Sequence, residues 1–140
     1  MGRKNRTIGL IVLFATFALV LSGAAIAQEE TVSIADKPGI GQYLIGANGL
    51  ALYYFKNDSP GKSVCTGPCA EKWPVYCYKT SEISIAKGLK MSDFGSFFRN
   101  EDKLDHLTYK GMPLYQFTGD QNPGDTNGQG VKGVWFVVKP

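Results

Sequence analysis

A degenerate repeat constrains this chain more than any other feature. The stretch Gly49–Trp73, GLALYYFKNDSPGKSVCTGPCAEKW, returns as Gly111–Trp135, GMPLYQFTGDQNPGDTNGQGVKGVW. At an offset of 62, Gly49 falls on Gly111, Leu52 on Leu114, Tyr53 on Tyr115, Phe55 on Phe117 and Asp58 on Asp120. One inserted residue then sets Pro60-Gly61 on Pro123-Gly124, Ser63 on Thr126 and Gly67 on Gly130, and Trp73 returns to Trp135. A repeat of this size specifies architecture before it specifies chemistry. Strand alternation through Leu50–Phe55 puts Ala51, Tyr53 and Phe55 on one face and Leu50, Leu52 and Tyr54 on the other. The second copy keeps Tyr115 and Phe117 but has Gln116 in place of Tyr54, so the Tyr/Phe face is expected to form the core.

The chain opens with Arg3, Lys4 and Arg6, an uncharged run from Ile8 to Ala27, and a small-x-small signal at Ala25-Ile26-Ala27. This pattern predicts a secretory signal peptide over 1–27. Left uncut, the 20 uncharged residues are long enough to span a bilayer, so a membrane contact is expected only with an uncleaved leader. The whole chain holds 15 Lys+Arg against 12 Asp+Glu, and removing the three leader cations leaves 12 against 12. A neutral balance offers no electrostatic footprint for nucleic acid or an anionic surface.

Residues 28–41 read as an extended N-terminal segment with one edge strand, and 42–140 as a single domain with repeat units over about 43–77 and 106–138. Tyr43-Leu44-Ile45, the Asn48-Gly49 turn signal and Leu50–Phe55 predict a hairpin. Leu107-Thr108-Tyr109, Lys110-Gly111 and Met112–Phe117 predict a second. Cys65–Trp73 has room for one helical turn before Pro74. Between the hairpins, Ile83 and Ile85 alternate like a strand, whereas Phe94, Phe97 and Phe98 fall at helical spacing. Gly133–Val138, GVWFVV, is a β-branched and aromatic run expected to be a central strand.

The combined motifs resemble the family of secreted repeats of unknown function, lipoproteins predicted from a Tyr-x-(Phe/Trp/Tyr)-x-x-Asp motif. That motif stands here as Tyr53-Tyr54-Phe55-Lys56-Asn57-Asp58 and Tyr115-Gln116-Phe117-Thr118-Gly119-Asp120. Cys65-x-x-x-Cys69-x-x-x-Trp73-Pro74 and the Gly-rich run Pro123–Trp135 are similar to the family as well, and the resemblance spans about residues 40–138. It implies an exported domain marked by Tyr53, Phe55, Asp58, Trp73, Tyr115, Phe117, Asp120 and Trp135, and supplies no reaction. Two features depart from it: no lipobox cysteine lies between Val20 and Ala27, and Cys77 is additional.

In an exported protein three cysteines predict one disulfide and one leftover thiol. Chain entropy gives roughly 2 kcal/mol for a Cys65–Cys69 link and roughly 3 for Cys65–Cys77, too close to choose between them. The family resemblance implies Cys65–Cys69. Cys77 and His106 then remain as a free thiol or, with the other two cysteines, as ligands of a Cys3His metal site or the centre of a redox protein of the electron-transfer type. Asp120, Asn122, Asp125 and Asn127 have calcium-like density but miss the EF-hand order, and the same residues are turn-formers. With one His, no Gly-x-Ser-x-Gly elbow and no juxtaposed carboxylates, the chain lacks a recognisable catalytic set, and no cofactor is predicted.

These readings converge on a mainly β, single-domain fold, a small sandwich or partly closed barrel of two pseudo-repeated hairpin units. The expected role is a non-enzymatic binding or structural module, secreted, periplasmic or at the cell surface, whose partner is an envelope or extracellular protein or glycan.

Overall fold

The computed structural model of the protein describes Gly2 and residues 29–140, so the signal peptide expected over 1–27 lies, Gly2 apart, outside the described residues. The domain is mainly β. It runs β1 (Val32–Lys37), β2 (Gly41–Gly46), β3 (Tyr53–Phe55), α1 (Pro68–Lys72), β4 (Phe94–Arg99), β5 (Leu104–Tyr109), β6 (Met112–Pro113) and β7 (Trp135–Val137). The strands form three small antiparallel sheets, β1-β2, β3-β7 and β4-β5-β6, none of them closed into a barrel.

The turn chemistry does what its residues permit. Asn48 Oδ1 accepts the Leu50 N–H at 3.1 Å, and Gly49 takes φ +78°. Lys110 and Gly111 both take positive φ, +48° and +85°, the geometry of a two-residue primed turn, which sets Tyr109 opposite Met112. A Cβ on Gly49 would approach Pro123 Cγ to 3.0 Å, and one on Gly111 would approach Pro60 Cβ to the same distance. Each copy's turn glycine is therefore fitted against the other copy's proline.

That crossing extends through the backbone. The Tyr53 N–H donates to the Tyr115 carbonyl at 2.8 Å and the Tyr115 N–H returns the bond at 2.9 Å, so a pseudo-two-fold axis passes between them. On their outer sides Tyr53 faces Val137 and Tyr115 faces Val75. Each motif strand thus lies between the other copy's motif strand and the other copy's tryptophan strand. The repeat also reaches further back than its sequence signal. The bonds from Leu52 N–H to the Leu44 carbonyl and from Leu44 N–H to the Val138 carbonyl have counterparts from Leu114 to Leu107 and from Leu107 to Tyr76. Hairpin β1-β2 is accordingly the counterpart of β4-β5, whose turn is one residue longer, four residues (100–103) against three (38–40).

Both faces of the motif strands are buried, which widens the expectation that the Tyr/Phe face alone forms the core. Leu52, Leu114, Val32, Leu44, Leu107 and Phe94 build one cluster. Tyr53, Tyr115, Trp73, Trp135, Tyr43 and Val137 build the other. Hairpin β1-β2 straddles the two clusters, since Tyr43 joins one and its neighbour Leu44 the other, whereas Phe94, Leu107 and Tyr109 of β4-β5 all belong to the first.

The reading of Phe94, Phe97 and Phe98 is corrected. They lie on strand β4, where Phe94 is buried at one end, Arg99 at the other, and Phe98 is 54% exposed. A strand that changes its inward face half-way loses its two-residue period and imitates a helix. The closing strand is corrected too. Gly133, at φ +68°, and the irregular Val134 break the extended run, leaving three residues on the outside of the β3-β7 pair. Its free edge is covered by a loop: the Gly130 N–H donates to the Trp135 carbonyl, and Gln129 Oε1 accepts the Val137 N–H, both at 2.8 Å.

Candidate functional site

The eight motif residues converge on the pseudo-two-fold axis. Because Trp135 pairs with Phe55 across β3-β7, and Trp73 occupies the equivalent place beside Phe117, the four rings stack in the order Phe55, Trp135, Trp73, Phe117. The centroid separations are 4.3, 3.9 and 4.3 Å, and the two indoles lie 2° from parallel. Tyr53 meets Trp73 edge-on at 5.3 Å, and Tyr115 meets Trp135 edge-on at 5.2 Å. Stacked and edge-to-face pairs are the arrangements that ring quadrupoles favour.

The motif aspartates fasten this centre crosswise. Tyr53 donates its hydroxyl to Asp120 Oδ2, and Tyr115 donates to Asp58 Oδ2, each at 2.5 Å. The second carboxylate oxygens hold the loops: Asp58 Oδ1 accepts the Val64 N–H and Asp120 Oδ1 the Asn127 N–H. Burial, reinforced by the carboxylate each faces, raises both phenols far above the ordinary tyrosine range. Burial also raises Asp58, against the pull of its hydrogen bonds from Tyr115 and Val64. The Asp120 loop is thereby explained as a turn. Asp120 is engaged by Tyr53 and Asn127, and Asp125 accepts the N–H groups of Gln121 and Asn122. Those last two bonds hold the Asp125 carboxyl below its usual range.

Cys65 and Cys69 are joined in a disulfide beside Trp73, and Cys77 is a free, exposed thiol. Cys77 and His106 face each other only as backbone bridge partners. With two of the three thiols in a disulfide, the Cys3His arrangement does not form. Among the described residues no three His, Cys, Asp or Glu side chains come close enough to hold a metal.

The sequence reading missed a buried polar chain that only the second hairpin completes. The Arg99 guanidinium donates to Ser63 Oγ at 2.9 Å and to the Cys65 carbonyl at 3.1 Å. It pairs with Asp102 at 2.8 Å, and the same Asp102 oxygen meets His106 Nε2 at 2.8 Å. Ser63 Oγ lies 2.6 Å from the Tyr115 hydroxyl, so the chain runs from His106 to Asp58. Burial works to raise Asp102, but His106, the Leu104 N–H and Arg99 outweigh it and hold the carboxyl below its usual range. In the first copy Lys37, the counterpart of Arg99, reaches Thr126 Oγ1 from a half-buried position, and nothing equivalent to Asp102 follows. The one available signal was positional: Arg99 stands 62 residues after Lys37, as Asp120 stands after Asp58.

Gly128 was also missed. It is the counterpart of Cys65, its N–H donates to the Tyr53 hydroxyl at 3.2 Å, and a Cβ there would come within 2.7 Å of Trp73 and 2.8 Å of Tyr53. Above the stack lies a groove of about 470 Å³ whose lining includes Phe55, Phe117, both indoles, Lys72 and Lys132.

The family model described as a secreted repeat of unknown function matches this chain twice, over residues 35–76 and 102–139. The chain belongs to that family. In this secreted repeat the two matched segments contain the two motif strands that trade partners across the axis, and the first reaches back into β1. No curated protein and no solved structure was found to match it. No helix among the described residues of this secreted repeat is long and apolar enough to cross a membrane.

Proposed function

We propose that this secreted repeat is a non-enzymatic binding module of the cell envelope or surface, and that the groove over the aromatic stack takes an acidic glycan. One observation carries the reading: four of the eight residues that define the repeat, Phe55, Trp73, Phe117 and Trp135, line one hollow of ligand size, with Lys72 and Lys132 among its walls. Aromatic walls suit the apolar face of a sugar ring, and two lysines suit a carboxylate that the sugar carries. A second hollow of about 400 Å³, lined by Tyr54, Met112, Leu114 and Phe136, is built from residues outside the motif, which favours the first.

Titration calorimetry with an oligohexuronate, and with its neutral counterpart, tests the proposal. Binding of the acidic oligomer that weakens with salt and disappears in Lys72→Ala/Lys132→Ala supports it. Equal binding of both oligomers, no binding, or preference for an acidic peptide of the same charge overturns it.

A further inference from the structure

The centre of the stack has a property that a binding groove does not require. Phe55 and Phe117, which close its two ends, resist oxidation, whereas the rings between and beside them are the two most readily oxidised aromatic types. Tyr53, Trp73, Trp135 and Tyr115 follow one another at 5.3, 3.9 and 5.2 Å between centroids. Both ends of this series are phenols that already donate a 2.5 Å hydrogen bond to a carboxylate. All four rings are buried, Tyr53 at 0% and Tyr115 at 1% exposure, Trp73 at 4% and Trp135 at 3%, and of the four the indoles are the ones that line the groove.

We propose that these four rings are a hole relay, which takes an oxidising equivalent from an oxygen-centred radical of the exported compartment and stores it on a buried tyrosine. The radical, a peroxyl for example, removes one electron from Trp73 or Trp135 and becomes a peroxide anion, which water protonates. The electron missing from the indole pair is replaced from Tyr53 or Tyr115. As that electron leaves, the phenolic proton crosses the hydrogen bond to Asp120 or Asp58. The products are one hydroperoxide, one hydroxide, a neutral tyrosyl radical and a protonated aspartate. Return of one electron from an external thiol or quinol reductant sends the proton back.

Three features favour this direction of flow. A phenol that loses an electron becomes a strong acid, so the neighbouring carboxylate traps the hole by accepting its proton. Burial, which already favours the protonated form of Asp58, makes that acceptance easier. Enclosure keeps the radical from meeting a second one. The inference stands apart from the identity of any glycan in the groove.

Flash photolysis of the intact domain with a photogenerated ruthenium(III) polypyridyl oxidant tests it. The expected result is an indole radical absorption that decays as a tyrosyl absorption grows, with slower growth in heavy water. In Asp58→Asn/Asp120→Asn, whose amides accept a hydrogen bond but not the proton, the tyrosyl signal is lost and the indole radical persists. Near-UV circular dichroism identifies variants that keep the stack, and the single substitutions replace the double one if it unfolds. Absence of a tyrosyl signal in the wild type, growth unaffected by heavy water, or wild-type yield in folded asparagine variants overturns the relay.

Discussion

Trp73 and Trp135, 62 positions apart and equivalent in the repeat, lie face to face with their centroids 3.9 Å apart. Each is held there by the other copy's motif strand, since Trp135 faces Phe55 and Trp73 stacks on Phe117. The contact therefore joins the two repeats at the point where both sets of strands have already exchanged partners. The Tyr–Asp bonds do the same with polar groups, so every motif residue takes a partner from the other copy.

Truncating one indole should remove packing from both copies at once. Trp73→Ala or Trp135→Ala is expected to cost about 3–5 kcal/mol, the range for a large core aromatic. The circular dichroism couplet of two stacked indoles should vanish with it. Trp73→Phe keeps a ring in the stack, so it should lose the couplet at smaller cost. Urea denaturation followed in the near and far ultraviolet separates the two effects, and an intact couplet in Trp73→Ala would mean that the indoles do not stack in solution.

Cross-pairing also predicts that neither half folds alone. A fragment of residues 29–90 has β3 without Tyr115 or Val137 to bond it, and a fragment of 91–140 has Tyr115 without Tyr53 or Val75. Short strands with unpaired edges are marginal in water. Each fragment is expected to lack cooperative thermal unfolding, and an equimolar mixture should regain the near-ultraviolet signal of the whole. Two independently folded fragments would contradict the crossed topology.

How much of this was legible depended on where each residue's partners lie. The motif strands, the two turns and the cysteine-containing helical turn could be read because local chemistry determines them: Asn48-Gly49, Lys110-Gly111 and Pro74 act on their own neighbours. The exchange of aspartates could not, because nothing in Tyr53-x-Phe55-x-x-Asp58 distinguishes a bond within the copy from one to Asp120. Strand β4 was obscured for another reason. It buries Phe94 at one end and Arg99 at the other, five positions apart and so on opposite faces, and its two-residue period breaks in mid-strand. Arg99 was hidden because sequence alone gave no ground for burying an arginine; its burial follows from Asp102, Ser63 and the Cys65 carbonyl, which meet it only in the fold.

The Tyr115–Asp58 bond predicts an unusual pH dependence. Burial raises the folded-state pKa of Asp58 above 3.8, so its contribution to stability is fully present below that value and is lost as pH rises through the folded pKa. Tyr115→Phe removes a donor that offsets this loss, leaving the carboxylate with the Val64 N–H. The substitution should cost about 1–3 kcal/mol near neutrality and less below about pH 4, where the carboxyl is protonated. Urea midpoints of both proteins across that range check it. A cost independent of pH would show that the hydroxyl serves Ser63 rather than the carboxylate.

Asp102 should behave with the opposite sign. Its folded-state pKa is below 3.8, so the stability it provides is present above that value and is lost as pH falls toward the folded pKa. Asp102→Asn leaves the buried Arg99 without its ion-pair partner. Because the Asp102 side chain is 24% exposed, the cost is placed at about 1–3 kcal/mol, below that of a fully buried pair. The variant and wild type should converge in stability once the pH falls below the folded-state pKa of Asp102, where both carry a neutral group at this position. A gap that persists in acid would assign the effect to packing.

Cys65 is 1% exposed and packs in the aromatic cluster, whereas Cys77 is on the surface. Alkylation of the native protein without reductant should therefore label one thiol, Cys77, and peptide mass mapping should recover Cys65 and Cys69 linked. Closing five residues, the link is worth roughly 2 kcal/mol by chain entropy, so Cys65→Ser/Cys69→Ser should lose at least that much, since it also places a hydroxyl among the rings. Cys77→Ser should shift stability by no more than about 0.5 kcal/mol, as expected for an exposed site. This pattern separates a structural cross-link from a thiol redox centre. A redox centre would require Cys65–Cys69 to open under a mild thiol reductant while the fold survives, and the burial of Cys65 beside the indoles couples that opening to the loss of the stack.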